Sequence, residues 1–233
     1  QCAFVHFDYP KLATEKAMAL IRMAVERAKR SQPIRKGKQK IDKKGLVVGG
    51  GLAGMTASLQ LAQLGYEIYL IEKEKELGGN LRESFYTLKG SNPQDLLNKL
   101  IKQVENNGSI HLYSEAEVLG FEKKNGHYRT KIRCQSEEKI LDHGALILAT
   151  GGREITPKEY LYGEDSRVCT QRQLEQMIHF NDERLKDVHS VVMIQCAGSR
   201  DEEHPYCSRR CCGHAGKNAL KLKEKDPSMN IYV

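Results

Sequence analysis

The sequence has no tryptophan, and aromatic residues make up only 6% of its 233 positions. It has no unbroken run of about 18 apolar residues, which excludes a membrane-spanning helix, and no basic-then-apolar leader of the secretory kind is read. It begins with Gln1 in place of methionine and ends in Asn230-Ile231-Tyr232-Val233, a strand-like stretch with no turn after it, so a piece of something longer is expected. A dispersed surplus of one charge is missing too. The formal charge is +7, from 37 Lys and Arg against 30 Asp and Glu. Residues 29–44 alone hold eight of the bases and one acid, which leaves 29 of each elsewhere. A nucleic-acid-binding domain would carry its bases over a folded face, so that class is disfavoured, and the tract, with Pro33 and Gly37, reads as a solvated linker.

What is present is 39% hydrophobic residues, enough for one sizeable core and part of a second. In segment 1–28, Leu20, Ile21, Ala24, Val25 and Ala28 fall at helical spacing after Pro10, predicting a helix over 10–28. After the 29–44 linker, Gly45 to Glu72 reads as strand, glycine turn, helix over 53–64 and strand over 67–71, a βαβ unit with Gly65 at the left-handed position past the helix. Asn92-Pro93 opens a helix to about Glu105. Residues 110–141 then switch to period two, predicting a three-stranded meander with Asn125-Gly126 as a hairpin turn. Ala145 to Ala149 is a buried-type strand ending in Thr150-Gly151-Gly152. After a loop-rich stretch, Val191 to Gln195 is predicted as another buried strand, followed by a cysteine segment, a helix over 213–223 and the terminal strand. The chain is thus α/β, with a Rossmann-like domain over 45–155 and a partial second βαβ unit over 156–233.

Gly49-Gly50-Gly51-Leu52-Ala53-Gly54 is G-x-G-x-x-G between a strand and a helix. Gly49 permits the tight turn, Gly51 lets the backbone approach a pyrophosphate at the helix N-terminus, and Gly54 allows close helix–strand packing. Glu72 ends the second strand 18 residues after Gly54, where its carboxylate can accept from ribose hydroxyls and disfavours a 2′-phosphate. Glu72-Lys73-Glu74-Lys75-Glu76-Leu77-Gly78-Gly79, the meander and Ala149-Thr150-Gly151-Gly152 resemble the fingerprint of thioredoxin-reductase-like flavoproteins with two dinucleotide-binding domains. That resemblance implies FAD as the dinucleotide, with Gly79, Asn80, Leu81, Thr150 and Gly151 along it. Lys73 is either an adenosine contact or a solvated side chain.

Seven cysteines are present, four of them (Cys196, Cys207, Cys211, Cys212) within seventeen positions, and no C-x-x-C occurs. A local cluster of this kind points to metal or redox chemistry in a reducing compartment. Four thiolates suit an iron–sulfur cubane or a tetrahedral zinc, although zinc sites favour paired C-x2-C knuckles. His204 and His214 are alternative ligands, and a dithiol or purely structural role also remains open. Arg200, Arg209 and Arg210 would offset cluster charge. The second unit carries this segment where a nicotinamide fingerprint would stand, so NAD(P)H binding there is not expected.

The string from Val191 to Glu202, with Pro205 to Arg209 and Cys211-Cys212, resembles the flavin and iron–sulfur A subunit of the CoB–CoM heterodisulfide reductase family. So do Thr14 to Ala17, Ile21 to Val25 and Glu76 to Arg82. The resemblance implies a cytoplasmic, anaerobic electron-transfer oxidoreductase with FAD and a [4Fe-4S] cluster on the four cysteines. It also implies partner subunits of heterodisulfide-reductase, hydrogenase or dehydrogenase type, with ferredoxin reached indirectly and the flavin able to split electron pairs in the best-understood members. Lys217, five residues beyond the double cysteine, matches a lysine that lies by the flavin in the family. The ferredoxin-type C-x2-C-x2-C-x3-C segments of family members are not found in this sequence, and Cys2 has no assigned role. Competing readings are an FAD-binding docking fragment without turnover and a pyridine-nucleotide disulfide oxidoreductase.

Overall fold

In a computed structural model the described residues are 8–32, 42–124, 127–156 and 159–233, and the chain divides into two compact units, Gln1–Lys40 and Ile41–Val233. Most of the basic tract, Cys2 and the Asn125-Gly126 turn lie outside the described residues. In the first unit Pro10–Arg30 forms helix α1. Pro10 occupies its first turn, where a missing N–H costs nothing, and Arg27, Lys29 and Arg30 face the negative end of the helix dipole.

The second unit is built on a parallel sheet. Strands β1 (Lys44–Val48), β2 (Glu67–Ile71), β3 (Ile110–Tyr113) and β7 (Ala145–Leu148) lie in the order β3-β2-β1-β7, all parallel, with Val47 opposite both Leu70 and Ile147. Helix α2 (Leu52–Gln63) crosses from β1 to β2, and α3 (Pro93–Glu105) leads to β3. Asn92 caps α3 by accepting the Gln94 N–H at 3.0 Å. Alternation along the strands decides what each face meets. Val47, Ile68 and Leu70 pack with Met55, Leu97, Leu100 and Val104 of the helices. Leu46 and Ile71 point the other way, against Ala116, Ile132 and Leu141. Those three belong to an antiparallel meander of β4 (Ala116–Lys124), β5 (His127–Cys134) and β6 (Glu137–His143).

The meander therefore starts later than the period-two pattern suggests, because Ile110–Tyr113 pairs with β2 in the parallel sheet. What separates the two is Glu115, a non-glycine residue at φ 51°, whose N–H donates to the Glu74 carbonyl while that of Ala116 donates to Glu72.

The second half of this unit packs α4 (Gln171–His179) and α5 (Cys211–Lys225) on a parallel pair, β8 (Ser190–Val192) and β9 (Asn230–Tyr232). Their core joins Leu174, Ile178, Ala215, Leu222, Met193 and Met229 with Tyr86. Three expectations change here. The stretch expected as loop contains α4, opened by a capping box in which Thr170 and Gln173 bond each other's backbone N–H. Helix α5 begins at Cys211, two residues before the predicted start. The strand expected over 191–195 spans only Ser190–Val192 and is half-exposed: Met193, just past it, is buried, while Val192 is 69% and Ile194 50% exposed, since only one face of the two-stranded sheet is packed.

Inside the meander His143 is fully buried, stacked on Tyr128 and bonded to Thr130 Oγ1 and to the Ala145 carbonyl, each at 2.8 Å. A carbonyl only accepts, so Nδ1 carries the proton and Nε2 accepts from the Thr130 hydroxyl. Burial lowers the His143 pKa, against smaller raising effects from Ala145, Asp142 and Asp42. Above the ordinary value of 6.5 both folded and unfolded chains are neutral here, and below it the unfolded chain takes up a proton the folded one resists, so stability falls as pH falls. Chemical denaturation at pH 7.5 and 5.5 is expected to show a larger loss for the wild type than for H143Q; equal losses would contradict this account.

Candidate functional site

The turn after β1 and the first turn of α2 leave no room for a side chain at Gly49, Gly50 or Gly54. Gly49 has φ +110°, and a Cβ there would lie 2.2 Å from the Ala149 carbonyl oxygen; one on Gly54 would lie 1.7 Å from the Gly49 oxygen. Gly51 differs. It caps α2 at φ −77°, a conformation open to any residue, and a Cβ there would meet only the Gly78 oxygen at 3.9 Å. Nothing in the protein demands glycine at 51, so the open cradle at the positive end of α2 fits a group that must approach the backbone, as a pyrophosphate does.

Glu72 is buried beneath this turn. Its Oε2 accepts the Gly50 N–H at 2.6 Å and its Oε1 the Glu74 N–H at 2.9 Å. Each carboxylate oxygen keeps a second lone pair, so Glu72 shapes the turn and retains the capacity to accept from ribose hydroxyls. Lys73 is exposed and pairs with Glu74 at 3.4 Å.

The Gly78-Gly79 pair closes on the same turn. The Gly78 N–H donates to the Gly50 carbonyl at 2.8 Å, and Gly79, at φ +50°, would place a Cβ 3.4 Å from Gly51 Cα. The Asn80 amide then donates to the Gly152 carbonyl at 2.8 Å. Leu81 packs on the first core, and its carbonyl accepts from Gln94 Nε2 at 2.9 Å. Gly151 turns at φ +70° with open space around it, just past Thr150. Three segments distant in sequence, at 49–51, 78–80 and 150–152, thus meet at the carboxyl ends of β1 and β7, the usual ligand-binding edge of a parallel sheet.

The cysteines occupy the equivalent edge of the β8–β9 pair. Cys196, at φ 62°, starts a tight turn closed by the Ser199 N–H on its carbonyl at 3.1 Å. Cys207 Sγ accepts the Arg209 N–H at 3.3 Å, Ser208 Oγ lies 3.8 Å from Cys211 Sγ, and Cys211 and Cys212 form the first turn of α5. The Cys212 thiol pKa is raised, first by Cys211, then by burial, Cys196 and Cys207. The donor set suits an iron–sulfur cluster in kind, yet among the described residues no three His, Cys, Asp or Glu side chains are arranged to hold a metal ion. His204 bonds within its own loop through Asp201. Gln195 Oε1, one residue before Cys196, is buried and has no hydrogen-bond partner among the described residues.

Lys217 is far from an exposed helix lysine: its side chain is 13% exposed, and Nζ donates to Glu175 Oε1 at 2.7 Å and to the Tyr86 carbonyl at 3.0 Å. Glu175 also accepts from His214 Nε2 at 2.6 Å and from the Phe85 N–H at 2.8 Å. Burial alone would raise the Glu175 pKa; the hydrogen bonds from His214, Lys217 and Phe85 outweigh it and hold the carboxyl at about 2. No sequence motif marked Glu175 or its helix neighbour Arg172, because their partners lie on distant elements; the capping box ahead of them was the available signal. Glu175→Leu strands the Lys217 ammonium without a counter-charge and is expected to cost about 3–5 kcal/mol of unfolding free energy. A measured loss below about 1 kcal/mol would contradict the buried pair.

Residues 43–194 match the pyridine nucleotide-disulphide oxidoreductase family. The iron-sulfur A subunit of CoB–CoM heterodisulfide reductase from Methanocaldococcus jannaschii is 29% identical, covering 100% of this chain and 49% of its own length. The A subunit of the H(2):CoB-CoM heterodisulfide,ferredoxin reductase from Methanothermobacter marburgensis is likewise 29% identical, covering 99% of this chain and 49% of its own. This chain therefore spans about half the length of the curated relatives it matches. Among solved structures, L-proline dehydrogenase from P. horikoshii aligns over 86% of this chain and 38% of its own with a TM-score of 0.49 at 16% identity. No helix among the described residues is long and apolar enough to cross a membrane. With its parallel sheet and glycine turn, the chain belongs to the pyridine nucleotide-disulphide oxidoreductase family and is similar over its whole length to the A subunits of the heterodisulfide reductases.

Proposed function

We propose that this chain is the FAD-bearing and [4Fe-4S]-bearing part of a heterodisulfide-reductase-like electron-transfer subunit, working in the cytoplasm within a larger complex. The observation that carries the reading is the open cradle at Gly51, in a chain whose full length is similar to those subunits. Bound FAD would supply two-electron chemistry that can be passed on one electron at a time.

The chain's own residues would divide the work as follows. Gly51 and the first turn of α2 present N–H groups to the pyrophosphate, and Glu72 accepts from the ribose while fixing Gly50. Gly79, Asn80, Thr150 and Gly151 bring backbone close to the flavin half. Lys73 serves as an outer contact to the adenosine. Cys196, Cys207, Cys211 and Cys212 hold the cluster, with Arg200, Arg209 and Arg210 offsetting its charge. Lys217, mostly buried and paired with Glu175, is the lysine that the resemblance to the A subunits assigns to the flavin, where a cation would favour negative charge on the reduced ring. Electron exchange with hydrogenase-type, dehydrogenase-type or ferredoxin partners, and any splitting of electron pairs, belongs to the assembled complex.

Two variants test the assignment. Gly51→Val fills the cradle and is expected to yield protein that loses FAD on gel filtration; a variant that stays as yellow as the wild type contradicts the cofactor site. Cys211→Ser is expected to lower iron from about four per chain after anaerobic reconstitution while leaving flavin content unchanged. Unaltered iron and sulfide would remove Cys211 from the ligand set.

A further inference from the structure

Arg172, in the first turn of α4, is tied to neither the glycine fingerprint nor the cysteine segment in sequence, yet it reaches the loops of the first. Its Nη2 donates to Asn80 Oδ1 at 3.0 Å, its Nη1 to Glu83 Oε2 at 2.5 Å, and its Nε lies 3.7 Å from Glu154 Oε2. Glu154 in turn accepts from Thr170 Oγ1 at 3.3 Å, at the N-cap of the same helix. Asn80 passes the contact on, donating from Nδ2 to the Gly152 carbonyl at 2.8 Å.

The chemistry of these groups is directional. A guanidinium has only donors, so it can face only the oxygen end of the Asn80 amide. That leaves the NH2 end toward Gly152, whose carbonyl can only accept. With Arg172 gone, nothing distinguishes the two ends of the amide on its outer side, and a flipped amide would set oxygen against oxygen at Gly152. Glu83 and Glu154 both contact the guanidinium, and its planar fork meets Asn80 and Glu83 through two separate nitrogens, a geometry the single ammonium nitrogen of a lysine does not reproduce.

We propose that Arg172 is a positioning residue for the dinucleotide site: by locking the Asn80 amide it fixes the separation of the 78–80 and 150–152 loops along which the flavin half of the cofactor runs. This rests on the FAD reading above and extends it to a residue outside the fingerprint. Arg172 itself touches no cofactor atom; it acts through Asn80.

The test is a double-mutant cycle on the full 233-residue chain, with FAD affinity read by flavin fluorescence and the visible circular dichroism of bound flavin recorded for each form. R172M is expected to weaken FAD binding about tenfold, roughly the worth of one fixed hydrogen bond, and to change the flavin dichroism. N80A is expected to do the same, and the double variant to be no worse than N80A alone, the non-additivity required of residues acting in series. Should R172M fail to fold, R172K takes its place, keeping the charge but not the planar two-nitrogen fork, and a raised dissociation constant is again expected. Additive effects, or an R172 variant that binds FAD with wild-type affinity and dichroism, overturn the inference while leaving the cofactor site standing. A wild-type chain that takes up no FAD overturns both.

Discussion

The close approach of α2 to the end of β1, with no space for even one methyl group at Gly54, together with that of the end of β7 to Gly49, is the constraint from which the candidate site follows. Because the helix begins directly over the end of the strand, its unpaired N–H groups collect at the sheet edge and not at a distant loop. Glu72 secures the arrangement by binding Gly50 from the end of the neighbouring strand, and Gly78 secures it again through the Gly50 carbonyl. These bonds leave Gly51 as the one glycine of the turn that faces open space, and it is there that a ligand has room.

The second half is organised by a charge instead of a close approach. Glu175 is buried, and a buried carboxylate is tolerated only when paired and hydrogen-bonded. Its partners come from two places: Phe85 in the loop after the glycine pair, and His214 and Lys217 on the helix that the double cysteine opens. Tyr86, from the same loop, packs in the second core and donates to Asn218 at 2.8 Å. One acidic side chain on α4 thus ties the segment following the flavin fingerprint to the segment following the cysteines. With Arg172 one turn earlier on the same helix, α4 contacts the elements assigned to both proposed redox groups.

Features encoded by local pattern were legible in the sequence. The glycine spacing, the Asn92-Pro93 start of α3 and Gly65 past α2 each act within a few residues, and Glu72 stands at the spacing a single βαβ unit sets, so their physics can be read without a fold. The meander boundary was not legible because the period-two alternation runs on through Ile110–Tyr113, and only the left-handed Glu115 separates the two sheets. Helix α4 was missed although Thr170 and Gln173 spell a capping box. The Glu175 and Arg172 networks could not be seen at all, since most of their partners lie about 40 to 90 residues away and no local period links them. The four cysteines are the converse case: their spacing was plain in the sequence, yet among the described residues no three His, Cys, Asp or Glu side chains are arranged to hold a metal ion.

The central claim is that one chain carries a flavin beside an iron–sulfur cluster, and an ultraviolet–visible spectrum of the anaerobically purified and reconstituted protein tests it most directly. Resolved flavin bands standing on a broad cluster absorption are expected, with both diminished by dithionite. A protein that lacks either absorption after reconstitution with FAD, iron and sulfide would contradict the claim.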